Sequence, residues 1–331
     1  MMQFSYQKSP DLGTALARIR EIPASRFIGG GTNLLDLIKA DVMRPQHLLD
    51  INPLPLRDVT EASDGRLHVG ALVTNSDLAW HPLIEARYPL LSKAILAGAS
   101  PQLRNMATTG GNLMQRTRCY YFYDIATPCN KRSPGSGCSA LSGVNRIHAI
   151  LGDSPSCIAV HPSDMCVALA ALEADVHVQS RDSERVIPFA DFHRLPGDTP
   201  EIDNNLKADE LITGITLPAL GFAQHFSYIK VRDRSSYAFA LISVATGLHI
   251  ESGVIKKARI ALGGLAHKPW RRHEAEALIE NKKLNEADFN VVAEALLQGA
   301  KGHGYNNFKI ELAHRAVVRG LYEAAGQEVA Q

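Results

Sequence analysis

All five cysteines of this 331-residue chain, Cys119, Cys129, Cys138, Cys157 and Cys166, fall within 48 consecutive residues. The same stretch breaks the pattern of everything around it. From Arg116 to Ser156 neither helical nor strand periodicity survives, and Asn130–Gly137 is turn chemistry throughout. A compact domain rarely carries about 40 residues without regular structure unless they have a function. Residues 1–8 have no basic stretch leading into an apolar one and read as lacking a secretory signal. With that and an odd cysteine count, a disulfide framework is the weaker reading and a shared ligand the stronger.

The first four cysteines are spaced C-x9-C-x8-C-x18-C. A zinc ribbon and a bacterial ferredoxin both need C-x2-C pairs, which are absent, so spacing alone leaves the metal unnamed. The surroundings narrow the choice. Arg116, Arg118, Lys131, Arg132 and Arg146 face a single acid, Asp124, between positions 116 and 146. Such a basic segment suits an anionic four-thiolate [4Fe–4S] centre. Cys166 sits on an apolar helical stretch and reads as a core thiol. The aromatic run Tyr120–Tyr121–Phe122–Tyr123 either shields this region from water or faces a partner.

Outside this segment the chain alternates short strands and helices. The expected strands include Arg26–Ile28, His47–Ile51, Leu67–Ala71, Val176–Gln179, Tyr237–Ile250 and Lys257–Leu262. The expected helices include Asp11–Ile22, Leu34–Lys39, Leu83–Ala99, Met165–Glu173, Arg271–Asn281, Ala287–Ala300 and Phe308–Ala325. Lys plus Arg is 35 against 34 for Asp plus Glu, which speaks against nucleic acid or a membrane surface as partner. No apolar run reaches membrane-spanning length. Neither His-Glu-x-x-His nor Gly-x-Ser-x-Gly occurs, so hydrolase chemistry has no support.

Two loops stand out. Gly29–Gly30–Gly31–Thr32–Asn33 lies between a strand and a helix, where successive backbone N–H groups can converge on an anion. It is neither a Walker loop nor the spaced dinucleotide fingerprint, and a plain turn needing positive φ explains it equally well. Ala107–Thr108–Thr109–Gly110–Gly111–Asn112 is a second small-residue loop suited to a diphosphate or a flat ring. Two such loops together weigh more than either alone.

Phe27–Ile28–Gly29–Gly30–Gly31–Thr32–Asn33–Leu34–Leu35, Thr108–Thr109–Gly110–Gly111–Asn112–Leu113 and Cys157–Ile158–Ala159–Val160–His161–Pro162–Ser163–Asp164–Met165 resemble the FAD-binding medium subunits of the xanthine dehydrogenase/molybdenum hydroxylase family. The similarity runs nearly end to end and is greatest to the periplasmic aldehyde oxidoreductase branch, which carries an extra cysteine-bearing loop. It implies an α+β chain: a two-subdomain FAD-binding fold of the vanillyl-alcohol oxidase (PCMH) type, then a C-terminal α+β domain like that of carbon monoxide dehydrogenase flavoprotein. The implied bounds are 1–60, 61–220 with the cysteine loop at 116–157, and 221–331.

By the same resemblance, Arg26, Phe27, Ile28, Gly29, Gly30, Gly31, Thr32, Asn33 and Leu34 cradle the FAD pyrophosphate. Thr108, Gly111 and Asn112 form the second flavin loop. Asp164, Ile212 and Lys230 are further FAD contacts, although Asp164 also reads as a helix cap and Lys230 as an exposed strand end. Cys119, Cys129, Cys138 and Cys157 are assigned to a [4Fe–4S] cluster. The implied partners are a molybdenum-cofactor large subunit, a [2Fe–2S] small subunit and an external electron acceptor. The implied compartment is the periplasm, reached as passenger of a signal-bearing partner, with the cytoplasm as alternative. Competing readings are a 4-hydroxybenzoyl-CoA-reductase-like medium subunit, a metal-stapled scaffold without redox chemistry, and a stand-alone flavin reductase.

Overall fold

The computed structural model describes residues 2–327. Three sheets follow one another along the chain. The first is built from β1 (Ser5–Lys8), β2 (Ser25–Ile28) and β3 (His47–Asp50), in the order β1-β3-β2 with parallel pairing. Parallel neighbours need helical crossovers, and Leu12–Glu21 and Leu34–Lys39 supply them. Asp11 opens the first by accepting from the Thr14 N–H.

The second sheet takes β4 (Val59–Glu61), β5 (Leu67–Gly70), β6 (Asp175–Gln179), β7 (Glu184–Pro188) and β8 (Leu211–Leu217) in the order β4-β5-β8-β6-β7. All its pairings are antiparallel. Between β5 and β6 the chain makes a run of short helices and then the cysteine loop. The third sheet is an antiparallel meander of β9 (Phe226–Val231), β10 (Ile242–Glu251), β11 (Val254–Gly263) and β12 (Trp270–Arg271), covered by the helix Phe308–Ala325.

The helix Asp164–Ala171 joins these parts. Ser163 caps it through the Cys166 N–H, Asp164 lies in its first turn, and every residue of it is buried. It packs on the helix Pro89–Ala97 and on β10 and β11. Contact with β11 is so close that a Cβ at Gly263 would lie 2.5 Å from Val167 Cγ2.

Several expected elements are trimmed. The helical stretch at Leu83–Ala99 divides into Pro82–Arg87 and Pro89–Ala97, because Pro89 cannot continue the first helix and instead starts the second. The strand placed at Tyr237–Ile250 begins only at Ile242, and residues 232–241 form a loop. The helix placed at Arg271–Asn281 shrinks to His273–Ala277, since Arg271 is spent on β12, paired with Ala261.

Candidate flavin and cysteine sites

The two glycine loops meet. A Cβ added to Gly30 would sit 1.8 Å from the Met106 carbonyl oxygen, and one on Gly111 would sit 2.8 Å from Thr108 Oγ1. Gly31 has φ +71°, a left-handed conformation that L side chains rarely adopt. Thr108 caps the helix Thr109–Leu113 through the Gly111 N–H, which leaves a short helix N-terminus beside the triple glycine. The need for glycine at position 30 is therefore set by loop-on-loop packing, not only by access for a phosphate.

Beside these loops lies a cavity of about 430 Å³. It is lined by all of residues 26–34, by Thr108 and Gly111, and by Ile212 from β8. A second cavity, of about 230 Å³, is lined by Asn112, Asp164 and Lys230, and it shares Thr32 with the first. The fifteen residues expected to contact FAD thus fall on two cavities with a common wall.

Asp164 and Lys230 are neither a helix cap nor a solvent-facing strand end. Ser163 does the capping. Lys230 Nζ donates to Asp164 Oδ2 at 2.8 Å and to the Ala97 carbonyl at 3.0 Å, with its side chain 5% exposed. Tyr228 donates to Asp164 Oδ1 at 2.6 Å, and its burial beside this carboxylate pushes the phenol well above its ordinary range. Asn112 accepts from Gln115 Nε2 at 3.0 Å and from the Ser163 hydroxyl. Asn33 Oδ1 accepts from the Arg116 N–H at 3.0 Å and ties the glycine loop to the start of the cysteine loop.

Some wall residues carry no motif. Asn75 and Arg118 are among the residues lining the second cavity; Asn75 Oδ1 and Arg118 Nε are themselves shut off from solvent and without a partner among the described residues. Asn75 lies in Thr74–Asn75–Ser76–Asp77, whose sequence signals only a helix start. Arg118 is set beside Cys119, the one local sign of its place. Its guanidinium lies 5.0 Å from the centre of the Phe239 ring and donates to the Tyr123 hydroxyl.

Cys119, Cys129, Cys138 and Cys157 gather in one small apolar cluster around Phe122 and Ile158. Cys129 and Cys138 face each other across an isolated antiparallel bridge. Burial pushes the Cys119 thiol up to about 12 and the Cys157 thiol up to about 11, and the other cysteines add to both rises. Lys131 pulls Cys157 back down. Cys166 stands apart, fully buried in its helix, with burial pushing its thiol up to about 12.

The basic residues of the loop are better partnered than the sequence suggests. Lys131 and Arg116 share Asp203, whose carboxyl they hold down at about 2 against the opposing effect of burial. Arg132 donates to the carbonyls of Tyr121, Phe122 and Thr127. Arg146 pairs with Asp233 at the surface. The Lys131 charge is the one that pulls the Cys157 thiol down. The aromatic run divides: Phe122 is fully buried among the cysteines, Tyr121 accepts from the Val144 N–H at 2.7 Å, and Tyr120 is exposed.

The loop is also tied down without any metal. Asn130 bonds the Ser156 carbonyl and the Gly137 N–H, and Asn145 bonds the Ala140 and His303 carbonyls. Lys309 Nζ, fully buried on the C-terminal helix, donates to the carbonyls of His148 and Gly264, and burial lowers it to about 7. His148, also buried, is lowered to about 4.

Known proteins match the chain over nearly its whole length. The model of the FAD binding domain in molybdopterin dehydrogenase matches residues 2–220, and that of the CO dehydrogenase flavoprotein C-terminal domain matches residues 227–324. The aldehyde oxidoreductase FAD-binding subunit PaoB of Escherichia coli (strain K12) is 46% identical over 99% of this chain and 100% of its own length. The glyceraldehyde dehydrogenase medium chain of Sulfolobus acidocaldarius is 28% identical, covering 86% of this chain and 83% of its own. Among solved structures, carbon monoxide dehydrogenase from Hydrogenophaga pseudoflava superposes with TM-score 0.77 at 24% identity over 98% of each chain, which speaks to the fold alone. With a family model over more than half of its length and a full-length relative, this chain belongs to the FAD-binding medium subunits of the molybdopterin dehydrogenase family.

Proposed function

We propose that this chain is the electron-transfer subunit of a molybdenum-containing aldehyde oxidoreductase, holding FAD and one additional [4Fe–4S] centre. The observation that carries the flavin half is the convergence of all fifteen expected contact residues on two cavities that share Thr32 in their walls. FAD, when bound, exchanges one or two electrons; the protein supplies position and electrostatics. Residues 29–31 offer backbone N–H groups for a pyrophosphate, while the N–H groups of Thr109, Gly110 and Gly111 are bonded to the Val73 and Ala71 carbonyls and to Thr108 Oγ1 and shape the second loop. Asn112, Asp164 and Lys230 offer a buried polar wall for the rest of the cofactor, and Arg118 adds a donor.

The cluster half rests on the four grouped thiols, from which Cys166 is excluded. Their high pKa values mean that a bound metal centre must displace the thiol protons to be held as thiolates. Electrons are taken to arrive from a [2Fe–2S] small subunit fed by a molybdenum-cofactor large subunit, and to leave to an external acceptor. The identity to PaoB supports an aldehyde as substrate of the assembled enzyme. Export to the periplasm as passenger of a signal-bearing partner completes the reading. Among the described residues no helix is long and apolar enough to cross a membrane.

The test is the spectrum and composition of the chain purified with its partners. Flavin bands with a broad iron–sulfur shoulder, one FAD per chain and four irons beyond those of the small subunit are expected. A complex with flavin but without the extra iron would leave the cysteines as a structural staple. Absence of both would remove the electron-transfer reading.

A further inference from the structure

His148 touches the cysteine cluster directly. Its Nε2 lies 3.0 Å from Cys119 Sγ, and the residue is 1% exposed. The backbone around it is held firmly. The His148 N–H donates to the Asn145 carbonyl at 2.9 Å, and its own carbonyl accepts from Lys309 Nζ at 2.9 Å and Asn306 Nδ2 at 3.3 Å. Asn306 also bonds the Ala149 carbonyl at 2.9 Å. Two of these groups come from the C-terminal part of the chain, so the imidazole is braced by an element remote in sequence from the loop it serves. The rings of Tyr120 and Tyr121 flank it at 6.4 and 6.3 Å.

The tautomer follows from the neighbours. His148 Nδ1 is buried with no partner among the described residues. A proton on Nδ1 would leave a donor unsatisfied there and point the Nε2 lone pair at the sulfur of a thiolate. A proton on Nε2 turns the same contact into an N–H···S hydrogen bond and leaves only an acceptor unsatisfied, the less costly arrangement.

We propose that His148 is a positioning residue that raises the reduction potential of the [4Fe–4S] centre, by donating Nε2–H to the Cys119 thiolate. This rests on the cluster assignment above. Reduction adds negative charge to the centre and its sulfurs, and a donor aimed at one of them favours the more negative state. None of the other three cysteines has a side-chain donor on its sulfur among the described residues, so His148 gives Cys119 an environment of its own.

The experiment is a reductive titration of the assembled complex followed by electron paramagnetic resonance, on wild type, His148→Phe and His148→Gln. His148→Phe fills the space without a donor and is expected to keep four irons. Its one-electron equilibrium constant should fall about tenfold, a shift of about 59 mV to lower potential. His148→Gln keeps an N–H and should recover part of that shift. A His148→Phe cluster at the wild-type potential would overturn the proposal. Because His148→Phe can fail to assemble, a second measurement needs no variant. The reduced wild-type cluster, labelled with ¹⁵N-histidine, should show coupling to one imidazole nitrogen and its exchangeable proton, and absence of that coupling would equally overturn it. A wild-type complex without any [4Fe–4S] signal would instead sink the cluster assignment itself.

Discussion

The glycine-loop cradle and the cysteine loop solve the same problem, fixing irregular backbone, by opposite means. In the cradle the order comes from regular structure. A parallel β-α turn and a capped helix N-terminus press two glycine loops together, and side chains are small because the loops approach each other closely. In the cysteine loop, helix and sheet contribute almost nothing. Arg132, Asn130, Asn145 and Lys309 satisfy carbonyls and N–H groups that a ladder would otherwise pair. One region depends on the absence of side chains and the other on their presence. Substitutions should therefore break the two in different ways.

The largest effect is expected at Gly30. Any side chain there meets the Met106 backbone at 1.8 Å, a clash that no rotamer relieves. Gly30→Val should part the two loops, abolish flavin retention and cost about 4 kcal/mol or more of stability. Flavin content and denaturant midpoint are the readouts. A fully flavinated variant with an unshifted midpoint would separate the loop contact from flavin binding and from the fold.

Next comes the thiol set. Cys129→Ser should bring the iron attributable to this chain to near zero, while Cys166→Ala leaves it unchanged. The side-chain ties within residues 130–145 do not depend on the cysteines, so the loop of Cys129→Ser should resist limited proteolysis better than its lack of regular structure suggests. Equal iron loss in the two variants would mean that the fourth ligand is misassigned. Rapid cleavage at 130–142 would mean that the metal, not the hydrogen bonds, orders the loop.

A smaller change is expected from the buried pair on the flavin side. Lys230→Ala strips Asp164 of its cation in a site where both side chains are nearly inaccessible. Leaving one buried charge unpaired costs about 3 kcal/mol. Flavin should dissociate more readily and iron should not change. The double variant Lys230→Met with Asp164→Asn should regain much of the stability but not the flavin affinity. If it regains both, the pair is structural only.

What the sequence discloses follows the same division. Gly29–Gly30–Gly31 is legible because a turn with positive φ is a local event written in adjacent residues, whereas Thr108–Gly111, expected as a loop, opens the helix Thr109–Leu113. The helix Phe308–Ala325 is legible for the same reason. Asp203, Asn306, Lys309 and His148 carry no such signal. Asp203 matters because Lys131 and Arg116 reach it from more than 70 positions earlier in the chain, and Lys309 because it lies against a carbonyl more than 150 positions earlier. Long-range side-chain-to-backbone bonds have no period and no spacing. The trimmed stretch at Tyr237–Leu241 fails for a related reason: β propensity there is outweighed by a loop whose Phe239 turns to Arg118.

Lys309 gives the gentlest test of how the C-terminal part braces the cysteine loop. Burial lowers its ammonium to about 7 in the folded chain, against about 10.4 in an unfolded one. Below pH 7 both states carry the proton, so the full desolvation cost falls on the native state. Between pH 7 and about 10 the native state releases its proton while the unfolded state keeps it. The unfolded state then binds more protons, and stability rises with pH. Lys309→Met lacks this term, so wild type should gain on the variant by about 1 kcal/mol between pH 7 and 8. Chemical unfolding of both chains at the two pH values measures the gap. A gap that stays constant would mean that Lys309 keeps an ordinary pKa through its bonds to the His148 and Gly264 carbonyls.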